Sequence, residues 1–266
     1  MRKLVVVSEY RDPAGKRLVD YPRPSVAVDT AVLTVTVEEE LSVLQVRDAV
    51  DGDWRLPGTF VHEGERLADA VLRSLRTKAG VTGLAPQQLQ VFDDPARDSR
   101  GWVMSVGHLD VVPFSALSSG LDGSRVRLVP VTAARGMVHG HDNIVAVAVN
   151  RLRAAYDVAP DPWGLVAEPF TMTELRRVHE AVAGRALLPD SFRRAMVPML
   201  VAAEGKRAEG PGKPAGTWWR NHPRSQARGM SERHAGDKQK LQAPPPTAAA
   251  PDSLGVYAAR LPRLGG

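Results

Sequence analysis

The chain has 266 residues, 43% of them hydrophobic, and no cysteine, which is enough apolar material for one sizeable domain and a smaller one. The missing cysteine excludes a disulfide framework and any cysteine-ligated zinc or iron–sulfur centre. The formal charge of +5 hides a split: residues 1–170 carry 19 Lys and Arg against 22 Asp and Glu, and residues 171–266 carry 16 against 8. A neutral-to-acidic first part and a basic second part point to one half that folds around a small ligand and another that meets a polyanion.

In chain order, Met1–Val7 begins like a signal peptide but meets Glu9, Arg11 and Asp12 too early and reads as a strand. No apolar run approaches the roughly 18–20 residues that a membrane-spanning helix needs, so the expectation is a soluble, cytoplasmic protein without a membrane partner. Val26–Val37 is rich in β-branched residues and reads as a long strand, with Leu41–Arg47 as its hairpin partner. Trp54–Gly58 is a strand running into a Pro-Gly turn. Leu67, Ala70, Val71, Leu75 and Ala79 then recur at helical spacing, and Gly80 stops that helix. Gly101–Val112 and Arg125–Val131 read as strands, and His141–Tyr156 as an amphipathic helix.

Asp157–Phe170 contains Pro160, Pro162, Gly164 and Pro169 and reads as a linker, placing the boundary near residue 165. Thr171 or Thr173 can cap the next helix, with Glu174 completing a capping box after Thr171 and Gly184 ending it. A second helix follows Pro189, capped by Asp190 or Ser191. It presents Ser191, Arg193 and Arg194 outward and turns Phe192 and Met196 inward, with Pro198 breaking its end. Leu200–Ala203 and Gly216–Arg220 can pair as strands around a loop bearing Lys206, Arg207 and Lys213, the layout of a basic wing. Beyond Asn221 a Pro-Pro-Pro run, an alanine run and scattered charges read as a disordered tail.

The stretch Leu56-Pro57-Gly58-Thr59-Phe60-Val61-His62-Glu63-Gly64-Glu65, with Arg73 eight positions after Glu65 and Gly80-Val81 closing it, resembles the Nudix box. The three helix glutamates of that box are here Ser74, Thr77 and Lys78. In the family those positions put carboxylates on one helix face to hold Mg²⁺ against a pyrophosphate. Two hydroxyls and an ammonium stand there in this chain. Tyr21–Asp29, the Phe92–Val106 stretch and the two C-terminal helices with their basic turn are similar to the Nudix-related transcriptional regulators of NAD metabolism, a resemblance covering about residues 20–221.

The resemblance implies an α+β protein, a Nudix-type mixed-sheet α/β/α sandwich followed by a winged helix-turn-helix domain. The expected division is residues 1–165 for ligand binding, 166–221 for DNA binding and 222–266 for the tail. It implies a dimer that binds operator DNA and senses ADP-ribose or a related NAD-derived nucleotide, with no cofactor. The expected ligand-binding residues are Arg47, Arg55, Gly58, Glu65, Arg73, Lys78, Arg97 and Arg100, the last two from a polar Asp94–Gly101 segment suited to a diphosphate or ribose. Arg73 is also expected to fix the loop through Glu65 or backbone carbonyls. The expected DNA-binding residues are Thr173, Ser191, Arg193, Arg194, Lys206, Arg207, Lys213 and Arg220. The alternative is a Nudix hydrolase using Mg²⁺ with Glu63 and Glu65 as its remaining carboxylates. His62, His108, His139, His141 and His179 show no metal-ligand spacing, so no metal site is expected, and they read as surface or hydrogen-bonded core residues.

Overall fold

The structure is a computed structural model that describes residues 10–50, 52–207 and 215–221, without the side chains of residues 118 and 205–207. The strand expected at Met1–Val7, the wing tip with Lys213 and the tail expected over residues 222–266 lie outside the described residues.

Strand β1 (Ser25–Val35) organises the first domain. It pairs antiparallel with β2 (Leu41–Arg47), Leu33 facing Val43, and parallel with β6 (Val103–Val111) from Ser25 opposite Val103 to Leu33 opposite Val111. Short β3 (Trp54–Arg55) pairs antiparallel with the end of β2, β4 (Gly58–Phe60) pairs with the start of β1, β5 (Gln87–Phe92) borders β6, and β7 (Val126–Pro130) borders β2. Among the described residues the mixed sheet therefore has seven strands.

Alternation along β1 sends its side chains to two cores, because successive strand residues face opposite ways. Ala31 and Leu33 pack with Ile144, Ala148 and Leu152 of α2 (His141–Val158). Val28 and Val32 pack with Ala70, Val71 and Leu75, which belong to α1 (Leu67–Ser74) and the turn after it. A helix on each face makes the expected α/β/α sandwich. Each fully buried aliphatic side chain contributes on the order of 1.5–3 kcal/mol, and Leu33, Leu44, Leu109, Ile144 and Leu152 are all fully buried.

Helix α1 does not run on regularly to Gly80. Leu75–Ala79 widen into a π-helical turn, and Gly80 closes it with φ 67°. Such widened turns often sit at functional sites, and Lys78 stands on this one. Strand β5 escapes a reading based on apolar runs because Gln87-Gln88-Leu89-Gln90 is mostly polar, and a register shift interrupts its pairing with β6. Strands β3 and β4 stay short because Pro57 lies between them.

The second domain has its own core of Val166, Phe170, Leu175, Phe192 and Met196. Strands β8 (Phe170–Thr171), β10 (Gly216–Arg220) and β9 (Leu200–Arg207) form a three-stranded antiparallel sheet beside α3 (Met172–Ala183) and α4 (Pro189–Met196). Thr171 rather than Thr173 caps α3: its hydroxyl accepts from Glu174 N at 3.2 Å and its own N–H donates to Glu174 Oε2 at 2.6 Å. Gly184 ends that helix with φ 70°. Neither Asp190 nor Ser191 caps α4. Leu188 occupies that position and Pro189 is the first helical residue, where its missing N–H costs nothing. Pro198 turns the end of α4 into a single 3₁₀ turn, Val197–Met199, before β9 begins.

Candidate functional site

A pocket opens where β1, β4 and the N-terminus of α2 converge, and Asp29, Arg55, Gly58, Arg97, Arg100 and His141 are among the residues that line it. Asp29 on β1 faces Gly58 on β4. A Cβ at Gly58 would lie 1.8 Å from Asp29 Oδ1, so the glycine exists to admit the carboxylate. Asp29 accepts from Ser105 Oγ at 2.5 Å and lies 3.3 Å from His141 Nε2 and 3.5 Å from an Arg97 guanidinium nitrogen. Leu56 N–H donates to His141 Nδ1 at 3.0 Å, which places the ring proton on Nε2, facing Asp29. Burial opposes ionisation of Asp29, but His141, Ser105 and Arg97 outweigh it and hold its carboxyl down at about 2.

A second carboxylate, Asp98, is gripped by Arg100 at 2.7 Å and by His139 Nδ1 at 3.3 Å. The Arg100 hydrogen bond holds it well below the usual carboxylate range despite desolvation. His139 has φ 60°, an uncommon backbone for a non-glycine residue. It turns its carbonyl to accept from Arg97 at 2.8 Å and its Nε2 towards Arg55 at 3.4 Å. Burial first, and then Arg100, push the His139 ring pKa down, so the ring is neutral and accepts from Arg55. Arg55 also pairs with Asp48 at 3.3 Å. Lys78 reaches the same pocket from the π turn.

Of the expected ligand-binding residues, the structure brings together Arg55, Gly58, Lys78, Arg97 and Arg100. Arg47 stands apart, donating to the Gly52 carbonyl at 2.9 Å and lying over Trp54. Glu65 and Arg73 also stand outside the pocket lining, as a clamp. Arg73 Nε and Nη2 each reach a Glu65 oxygen at 2.8 Å, and the same guanidinium donates to Phe60 O at 2.9 Å and Thr59 Oγ1 at 3.1 Å. The bidentate bond from Arg73, aided by the His62 N–H, holds the Glu65 carboxyl at about 2. The loop from β4 to α1 is thereby fastened to the helix, which is the structural role expected of Arg73.

Asp29, Asp48, Asp98, His139 and His141 were missed by reasoning from spacing. Asp29 carried a usable signal: a lone carboxylate inside an otherwise apolar strand must have partners. The histidines had none, because their partners come from Asp29 and Asp98, distant in sequence.

The residues do not fit the divalent cation that a Nudix box implies. Ser74 is buried and its hydroxyl makes no hydrogen bond, Thr77 donates to the Arg73 carbonyl at 2.8 Å, and Lys78 is itself a cation. Glu65 is spent on Arg73, and Glu63 is exposed. Among the described residues no group of three or more His, Asp or Glu could hold a metal ion.

In the second domain, Thr173, Ser191, Arg193 and Arg194 are exposed, the last three at the start and middle of α4. The Arg193 guanidinium lies over the Trp218 ring at 5.8 Å, and Arg194 reaches Ser191 Oγ at 3.5 Å. Lys206 and Arg207 end β9. Arg220 must be corrected as a DNA-facing residue. Its side chain is 14% exposed, pairs with fully buried Asp161 and with Glu168, and donates twice to Val166 O at 3.0 Å. Placed at the end of β10 over the buried Asp161 carboxylate, it ties the linker to the sheet. Among the described residues no helix is long and apolar enough to cross a membrane.

Residues 162–218 match the family model of the NrtR DNA-binding winged helix domain. The chain is 27% identical over 202 residues to the ADPR responsive transcriptional repressor NtrR of Acinetobacter baylyi, covering 73% of this chain and 80% of that protein. It is also 27% identical over 128 residues to an ADP-ribose pyrophosphatase of Methanocaldococcus jannaschii, covering 47% and 73%. Among solved structures, Shewanella oneidensis NrtR complexed with a 27mer DNA superposes with a TM-score of 0.62 at 28% identity, covering 73% of this chain and 93% of that one. A MutT/nudix family protein from Enterococcus faecalis superposes with a TM-score of 0.59 at 24% identity, covering 76% and 90%, a likeness of fold alone.

Fold and site together define a Nudix-type sandwich, its helix carboxylates replaced, joined to a winged helix of the DNA-binding kind. Residues 162–218 form a winged helix domain of the NrtR DNA-binding type, and the chain is similar over most of its length to Nudix-related transcriptional regulators.

Proposed function

We propose that this chain is a DNA-binding transcriptional repressor of NAD-related metabolism whose Nudix-type domain senses ADP-ribose or a related nucleotide. The observation that carries the reading is helix α2. At its N-terminus His141 faces Asp29 in the pocket. Near its other end, Tyr156 packs edge-on against His179 of α3 at 4.8 Å, and His179 packs edge-on against Phe192 of α4 at 4.9 Å. Arg153 of α2 also donates to the Val182 carbonyl at 3.0 Å. A helix of 18 residues, about 27 Å long at 1.5 Å per residue, thus joins the ligand pocket to the helix bearing Arg193 and Arg194. A ligand that favours one position of α2 biases the position of α4.

The protein acts in the cytoplasm as a homodimer, so that two α4 helices meet the two halves of a palindromic site. Hydrolysis is the poorer reading, because Glu65 is committed to Arg73 and the helix face presents Lys78. Selection from random DNA duplexes with the full chain tests the proposal. A palindromic site should be enriched, and ADP-ribose should change its retention. Absence of any enriched site would overturn it, and Mg²⁺-dependent release of AMP from ADP-ribose, lost in Glu65→Gln, would restore the hydrolase.

A further inference from the structure

The charges in the pocket do not cancel. Four cationic side chains and three carboxylates line it, and each carboxylate has a cationic partner: Arg97 for Asp29, Arg55 for Asp48 and Arg100 for Asp98. Lys78 is left over. Among the described residues its ammonium makes no hydrogen bond or close ion pair, although the residue is exposed to solvent as a whole. Among the described residues the cationic surplus is therefore one residue at a known position, on the π-helical turn that follows α1.

We propose that Lys78 is the anchor for the diphosphate of the ligand and that it makes a divalent cation unnecessary, so the pocket binds a nucleoside diphosphate sugar without metal. The inference rests on the nucleotide-sensing reading above and deepens it. A diphosphate entering the pocket meets three guanidinium groups that already pair with carboxylates and one ammonium that feels Asp48 and Asp29 only at longer range, so Lys78 contributes the unshared charge-assisted bonds. A divalent cation entering instead meets carboxylates already neutralised, with Lys78 beside them repelling it. Crowding of the ammonium by protein lowers the Lys78 pKa despite the attraction of Asp48 and Asp29, and a bound phosphate offsets that cost by supplying a counter-charge in direct contact.

Calorimetric titration of the full chain with ADP-ribose, and separately with inorganic pyrophosphate, in EDTA and in Mg²⁺ tests the inference. Wild type should bind ADP-ribose equally in both buffers, within about two-fold. Loss of one charge-assisted contact corresponds to about ten-fold or more, so Lys78→Met should weaken binding by that factor while Lys78→Arg retains it. Arg76→Met, on the same turn but outside the pocket, should bind as wild type does. Binding that requires Mg²⁺, or full affinity in Lys78→Met, would overturn the role of Lys78 and leave the sensing function standing. Lys78-dependent binding of pyrophosphate in EDTA with no binding of ADP-ribose would support the anchor and overturn the proposed ligand. No binding of either probe would overturn both.

Discussion

The pocket and the recognition helix both present arginines, and they hold them in opposite ways. Arg55 and Arg97 have side chains only 8% and 5% exposed and lie against Asp48 and Asp29. Arg193 and Arg194 are exposed and, among the described residues, touch the Trp218 ring and the Ser191 hydroxyl rather than a carboxylate. A guanidinium fixed by a buried carboxylate has its direction set before a ligand arrives, so it discriminates by geometry. A guanidinium in solvent adapts to a polyanion whose phosphates release counterions. The first arrangement suits a small molecule and the second suits DNA. Arg220 breaks the division by region: it belongs to the winged helix yet is held as the pocket arginines are, against Asp161.

That exception gives the sharpest way to break the comparison. Asp161→Ala leaves Arg220 without its buried partner and also removes the acceptor for Tyr156 OH, Leu165 N and Val166 N. Breaking a buried pair costs about 3–5 kcal/mol, and chemical denaturation should read a loss of that size. A stability near wild type would place Arg220 with the exposed group after all.

The next effect is a pH dependence at the joint between the domains. Burial depresses the His179 pKa from 6.5 to about 4, so the folded state takes up its proton later than the unfolded chain does. The contribution is fully present above about pH 6.5 and is lost as pH falls towards 4, up to about 3 kcal/mol over that window. Thermal melts should show this fall, and His179→Phe should flatten it. An unchanged slope in the variant would remove His179 from the joint.

Gly58→Ala sharpens the pocket side. The added methyl would collide with Asp29, which Ser105, His141 and Arg97 prevent from moving. A loss of about 1–3 kcal/mol is expected together with loss of ADP-ribose binding, read by calorimetry. The smallest effect falls on the exposed arginines. Arg194→Ala should leave the melting temperature unchanged and reduce the salt dependence of DNA binding by about one phosphate contact, measured by anisotropy at several salt concentrations.

Much of the fold was legible because its strands and helices follow local rules. The β1–β2 hairpin, the α1 periodicity ending at Gly80, and the Thr171–Glu174 capping box are patterns within about twenty residues, and the structure contains each. Strand β5 was not legible, since its three glutamines hide a strand held by pairing with β6. The site was legible by half. Gly58, Arg55, Lys78, Arg97 and Arg100 sit in or beside a recognisable box or an Arg-rich segment. The pairings of Asp29 with His141 and of Asp98 with His139 are set only when β1 and the loop before β6 meet the start of α2 in space. Arg220 misled because a basic residue on a wing strand has the same sequence signature whether it faces solvent or a buried carboxylate.

The central claim is that the pocket and α4 are coupled through α2, and the direct measurement is the affinity of the full chain for its selected palindromic duplex with and without saturating ADP-ribose, in EDTA. Coupling between sites is typically about 5- to 150-fold and is reciprocal. The account predicts a change of at least about five-fold in DNA affinity, matched by the same factor in ADP-ribose affinity when DNA is present. An ADP-ribose that binds tightly and leaves DNA affinity unaltered would contradict it.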